Sequence, residues 1–213
     1  MVVPRSPYEL ALGESFGGLH PRLRTYFSAI PDGRIGCGTG VFRVVGTPRR
    51  WLWPFLVILG RQGVLFPGWH ADVAFTVLNE PVGSGDRVAV NARRTFEFPS
   101  GARDMLDSIS FGSRGLVDHL GSKRRYVATL KLQIKDGALL LRSTRMAIRF
   151  GRRYLAVPRW IAPRVTLTEQ FDEAIDRQRV TVRVAAPFVG QLYVYAGTFE
   201  YAVHTIDTGE RSA

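Results

Sequence analysis

From Trp69 onward the chain is cut into runs of strand length by turn signals at short intervals, and this rhythm decides the fold class. Gly83-Ser84-Gly85-Asp86, Pro99-Ser100-Gly101, Lys135-Asp136-Gly137 and the stretch 173–177 punctuate it. Lys135-Asp136-Gly137 lies between the apolar runs 126–134 and 138–150 and reads as a tight hairpin, because Asp-Gly accepts the left-handed backbone such a turn needs. We count about eight strands with short connections. Short connections join antiparallel neighbours, since a parallel crossover needs a dozen or more residues. The expectation is therefore an antiparallel meander that curls or closes.

Ahead of the strands the pattern is helical. After Leu10, the residues Leu12, Phe16, Leu19, Leu23 and Phe27 recur at three- and four-residue spacings, and Gly17-Gly18 with Pro21 should divide them into two short helices. The run 34–45, with Gly36, Gly38 and Gly40, reads as a glycine-weakened strand. The whole is expected as one α+β domain over 1–206, mainly antiparallel β. Its helical part covers about 7–66, its sheet about 69–206, and a disordered tail 207–213. In architecture it would be a calycin-like barrel or half-barrel with the N-terminal helices and one hydrophobic helix packed on it.

That hydrophobic helix belongs to the most apolar segment, Trp51 to Leu59, followed by Trp69. Its length falls short of the roughly 20 residues that span a bilayer. It suits a core helix packed across the sheet. The pairing of Arg50 with Trp51, Trp53, Phe55 and Trp69 also suits a lid or a segment lying at a membrane–water interface.

Phasing each strand by its two-residue period brings out charges on apolar faces. Arg94 falls in line with Val88, Val90, Ala92, Phe96 and Phe98, and Arg142 with Leu140, Met146, Ile148 and Phe150. Asp118 lies between Leu116 and Leu120, and Glu169 between Leu167 and Phe171. A buried charge costs several kcal/mol unless it is paired and hydrogen-bonded. The four should then either form a structural Arg–carboxylate network or line a cavity open to a ligand.

Other chemistry is scarce. Gly36-Cys37-Gly38-Thr39-Gly40 satisfies neither the dinucleotide fingerprint nor the Walker motif, and reads as a place of close backbone approach. His20, His70, His119 and His204 have no metal-ligand spacing, and no hydrolase or zinc-protease motif occurs. No cofactor and no metal is expected. The formal charge of +11, carried almost wholly by arginine, points to an anionic partner or to a scattered solvated surface. Nucleic acid rests on net charge alone, without a basic stripe or an aromatic platform motif. The single Cys37 suits a reducing compartment, and Met1 to Arg5 shows no apolar leader, so a cytoplasmic protein, soluble or peripheral to a membrane, is expected.

The ordered words Leu19-His20-Pro21-Arg22-Leu23-Arg24, Gly38-Thr39-Gly40, Arg94-Thr95-Phe96 and Gly115-Leu116-Val117-Asp118-His119-Leu120-Gly121 are followed by four more. These are Gly137-Ala138-Leu139-Leu140-Leu141-Arg142, Pro158-Arg159-Trp160-Ile161-Ala162-Pro163, Pro187-Phe188-Val189-Gly190-Gln191-Leu192 and Tyr195-Ala196-Gly197-Thr198-Phe199. Over about residues 8–200 this series resembles a bacterial family, the domain of unknown function numbered 4166. The family usually has a glutamate where this chain has Asp118, and Ala92 stands where a tryptophan is expected. The resemblance implies members that occur alone or after a nucleotide-binding dehydrogenase-like domain, which makes a dehydrogenase-like protein a candidate partner.

Three functions compete on these residues. The foremost is a binding module that holds a hydrophobic or amphiphilic small molecule in an apolar cavity, with Arg94, Arg142, Asp118 and Glu169 as its polar anchor. The second is an isomerase or hydratase using Asp118 or Glu169 as proton carrier. The third is an accessory interaction protein in which the charge network is purely structural. Whether the chain catalyses anything stays open at this point.

Overall fold

The computed structural model describes residues 5–84 and 87–205. The tail expected at 207–213 and the centre of the Gly83–Asp86 turn lie outside the described residues.

Two short helices come first, α1 (Pro7–Leu12) and α2 (Pro21–Phe27), joined by a 3-10 turn over Gly13–Gly18. Each starts on a proline preceded by a capping side chain. Ser6 accepts from the Glu9 amide while Glu9 reaches back to the Ser6 amide, and His20 accepts from Arg22. Strand β1 (Arg34–Gly46) follows, then α3 (Trp53–Gly60). Ten more strands complete the chain. They are β2 (Trp69–Ser84), β3 (Arg87–Phe98), β4 (Gly101–Gly112), β5 (Gly115–Leu120) and β6 (Tyr126–Lys135), then β7 (Ala138–Phe150), β8 (Arg153–Ala156), β9 (Arg164–Asp172), β10 (Arg177–Ala186) and β11 (Gly190–Thr205).

The strands form a closed ten-stranded antiparallel barrel with one extra strand. Strands β1 to β7 pair in sequence order, β7 pairs with β9, β9 to β11 continue the meander, and β11 returns to β1. Strand β8 sits outside the ring on the last four residues of β7. The glycine-weakened run is thus a full barrel stave. The sheet starts at Arg34 and not near 69, and ten strands follow the hydrophobic helix where about eight were counted. The Lys135–Gly137 turn is the expected hairpin, with φ of 50° at Asp136 and 75° at Gly137.

Helices α1 and α2 close the end of the barrel that carries the β6–β7 turn. Leu19, Leu23 and Phe27 pack on Leu139 there, and the His20 amide donates to Gly137. At the opposite, upper end lie α3 and the loop after it. The Gly63 carbonyl accepts from Leu106 and the Gln62 carbonyl from Ser122, which pins this loop over β4 and the β5–β6 turn.

The interior is filled unevenly. On one side Phe42, Phe75, Phe96, Tyr195 and Phe199 stack into an aromatic core. The opposite wall, from β4 to β7 and β9, presents smaller aliphatic groups such as Ile109, Ala128, Leu130 and Leu141. These do not reach across, and a cavity of about 410 Å³ is left between them and the aromatic side.

Candidate functional site

Strand phasing placed four charges inward, and the barrel holds three of them there. Arg94, Asp118 and Glu169 all line the cavity, from β3, β5 and β9. Arg142 does not. It is exposed, opposite Lys131 on β6 and Thr166 on β9. The cause is a β-bulge: Thr129 pairs with Arg145 but Leu130 with Ser143, so Thr144 is an extra residue in β7. Below the bulge Leu139, Leu141 and Ser143 are buried, and above it Met146 and Ile148 face the cavity. A two-residue count run back from Ile148 therefore arrives at Arg142 one residue out of step.

The sequence reading passed over Asp107. It lies on β4 between Met105 and Ile109, all three buried, and it forms an ion pair with Arg94. The same phasing applied to 101–112 would have singled it out, since Met105, Asp107 and Ile109 occupy alternate positions. The cross-strand register makes a descending diagonal: Arg94 faces Met105, Asp107 faces Leu120, and Asp118 faces Ile109. Each polar residue thus stands one diagonal step from the next, within reach of long side chains. Tyr8 of α1 and Tyr26 of α2 add hydroxyls from the helices that form the cavity floor, and Tyr195 adds a third from β11.

The two remaining carboxyls differ from Asp107. Glu169 is 3% exposed and accepts a hydrogen bond from the Gln178 side chain. Burial pushes its pKa up to about 7, against the opposing pull of Gln178 and Arg94. Asp118 is pushed well above the ordinary carboxylate range by burial and by the neighbouring Asp107 charge, with Arg94 opposing. Its Oδ1 is buried and has no hydrogen-bond partner among the described residues. The floor therefore holds one compensated ion pair beside two carboxyls whose burial favours the protonated form. An arrangement of this kind can hydrogen-bond a neutral polar group without importing net charge.

The upper walls carry no charged group and only Tyr126 beside the apolar side chains. Leu59, Val64, Leu65, Met146, Ile148 and Val157 line the cavity beneath α3. In the lid or membrane segment, Arg50, Trp51, Phe55 and Trp69 are exposed, while Trp53 is half-buried with its indole N–H donating to the Thr47 carbonyl. Of α3 itself only Leu56 is buried, in the aromatic core with Leu59 half-buried beside it, so the helix packs on the end of the barrel as expected but leaves Phe55, Val57 and Ile58 exposed. No helix is long and apolar enough among the described residues to cross a membrane. Among those residues no three of His, Cys, Asp and Glu come together as a metal would need. The glycines of β1 face inward without side chains. The space above Gly36 is occupied by the Tyr201 ring, a close approach and not a phosphate loop.

A family model described as "Domain of unknown function (DUF4166)" matches residues 19–199. The chain is 24% identical over 191 residues to "Uncharacterized protein YndH" of Bacillus subtilis (strain 168), covering 85% of this chain and 90% of that protein. No solved structure gives a significant match. The matched span takes in Arg94, Asp107, Asp118 and Glu169 together with α3.

Proposed function

The chain belongs to the DUF4166 family, and from the chemistry of its interior we propose that it is a binding module for an amphiphilic, lipid-like small molecule. The observation that carries this reading is the cavity of about 410 Å³, largely apolar along its walls and with its charged groups at its floor. A volume of that order lies within the ~300–1,000 Å³ of ordinary small-molecule sites. The tail packs under α3 among Leu65, Met146 and Ile148, and the head reaches Asp118 and the Arg94–Asp107 pair. Because Asp107 already compensates Arg94, the head is a neutral group such as a hydroxyl, ester or amide, and not a free acid.

A closed barrel gains nothing in stability from unfilled volume: a cavity costs roughly 24 cal/mol per Å³ when it is made by truncation. A purely structural charge network would be served equally well by a packed interior. The lone Cys37 supports a reducing, cytoplasmic setting.

Native mass spectrometry of the purified protein, with organic extraction of bound material, tests the proposal. A stoichiometric lipid-like adduct is expected, lost when Ala128→Phe fills the cavity and kept in Arg142→Ala, whose side chain is outside. A clean apo mass with no uptake from a lipid mixture would overturn it.

One observation favours a second reading, an isomerase or hydratase. Asp118 and Glu169 share the cavity, and burial raises the pKa of both above the ordinary carboxylate value, the direction that suits general acid–base work. Turnover of the extracted compound by the wild type, abolished in Asp118→Asn with binding retained, would establish it. Binding without turnover would leave the module reading alone.

A further inference from the structure

The apolar surface of this protein is gathered at one end. Of fourteen exposed large apolar side chains among the described residues, all but Val41, Val82 and Ile175 lie at the upper end of the barrel. They come from separate parts of the chain: Trp51 and Phe55 around α3, Leu155 on β8, Trp160 and Ile161 on the stretch leading to β9, and Phe188 in the β10–β11 turn. Phe188 is 96% exposed and Trp160 68%. None of them is needed for the core. Monomeric soluble domains seldom concentrate exposed apolar groups in this way without a partner.

The charge is gathered at the same end. The segments 47–69, 121–125, 149–164 and 187–189 contain eleven lysines and arginines and no aspartate or glutamate. The formal charge of the whole chain is +11, so these upper segments account for it and the rest of the sequence balances to zero. Arg50, Arg61, Arg152 and Arg159 are exposed in the same segments as the apolar groups, and Lys123 and Arg125 are exposed on the β5–β6 turn at the same end. The fifth upper turn, Pro99-Ser100, is flanked by Glu97 and Arg103 and adds nothing net.

We propose that the upper end docks on an anionic lipid bilayer, with α3, the β7–β8 ribbon, the 157–163 stretch and the Phe188 turn entering the interfacial layer and the arginines meeting lipid phosphates. Aromatic side chains prefer that layer, aliphatic ones lie deeper, and long basic side chains reach back to the headgroups. A nucleic acid would use the arginines and aromatics but would leave Ile58, Leu155 and Ile161 in contact with polar backbone. A bilayer accounts for both kinds of group at once. Docking brings the α3 cap and the apolar cavity beneath it to the membrane surface, although the inference stands on the exterior and does not depend on what the cavity holds.

Flotation with phosphatidylcholine vesicles, with and without phosphatidylglycerol, tests it. Binding is expected to the anionic vesicles, to weaken with added salt, and to blue-shift tryptophan emission. Arg152→Glu with Arg159→Glu should reduce it about tenfold or more, and Phe55→Ser with Trp160→Ser by a similar factor, both with an unchanged far-ultraviolet circular dichroism spectrum and unfolding midpoint. Ala128→Phe, which fills the cavity, should bind vesicles like the wild type, so failure of the cavity reading is separable from failure of this one. Absence of binding to anionic vesicles, equal binding by the surface variants, or competition by single-stranded RNA at lower concentration than by vesicles would overturn it.

Discussion

Arg94 and Asp107 stand one diagonal step apart on β3 and β4 and form an ion pair inside the barrel, with 18% and 5% of their side-chain surfaces exposed. The pair lies between the aromatic core and the cavity, so its strength bears on both. Removing one partner leaves a buried charge without compensation, which costs about 3–5 kcal/mol, whereas replacing both by apolar groups is often neutral. Arg94→Met should therefore lower stability in urea by about that amount, and Arg94→Met with Asp107→Leu should recover most of it. Equal destabilisation by the single and double variants would show that the pair itself holds the fold.

Glu169 makes stability depend on pH in a sense opposite to that of most paired carboxylates. Its folded pKa of about 7 exceeds the unfolded value of 4.5, so the folded state holds the proton more tightly. Stability from this group is full below about pH 4.5 and is lost as pH rises toward 7, a change on the order of 3 kcal/mol at most. Asp118, raised for the same reason of burial, acts with the same sign. Glu169→Gln keeps an oxygen to accept from Gln178 and removes the titration. Its advantage over the wild type in urea unfolding should be large at about pH 8 and vanish near pH 4.5. A pH-independent difference would mean that Glu169 ionises normally in the fold.

The barrel was legible because its determinants are local. Turn signals set the strands, short connections made them antiparallel, and the alternation of Val90, Ala92, Phe96 and Phe98 put Arg94 inside. Glu169 and Asp118 followed by the same logic, since β5 and β9 run without interruption through those residues. Two things were not local. The extra residue at Thr144 is set by how β6 and β7 pair, and nothing in Leu141-Arg142-Ser143-Thr144-Arg145 marks it. How much of α3 stays exposed was hidden as well: an apolar octapeptide has the same composition whether one side of it or all of it is covered. The apolar and basic collar becomes visible only when the barrel brings four distant segments to one end.

That register carries its own prediction. With Arg142 outside, Arg142→Leu should change stability by no more than about 0.5 kcal/mol, as surface substitutions do. Ser143→Leu should cost more, because the Ser143 hydroxyl accepts from the Val165 amide at 2.9 Å and helps join β7 to β9 where their regular pairing ends. Its loss leaves a part-buried amide unsatisfied, at about 1 kcal/mol or more. The reverse order of the two effects in urea unfolding would place the bulge elsewhere.

Gly36 and Tyr201 give the sharpest test of the packing at the lower end. A Cβ built on Gly36 would stand 1.6 Å from the Tyr201 hydroxyl oxygen and 2.5 Å from the ring carbon that bears it. The ring lies over β1 because the glycine leaves that place empty, and there its hydroxyl accepts from the buried Asn79 amide at 3.4 Å. Gly36→Ala must push the ring away, at the 1–3 kcal/mol usual for overpacking, and strand Asn79. Tyr201→Ala alone loses packing around Tyr26, whose ring centre is 4.6 Å away. In the double variant the clash is gone, so the two costs should fall short of additive by about 1 kcal/mol or more. Strict additivity in a double-mutant cycle would mean that Tyr201 does not occupy the space above Gly36, and the reading of Gly36, Gly38 and Gly40 as a close-approach stave would lose its support.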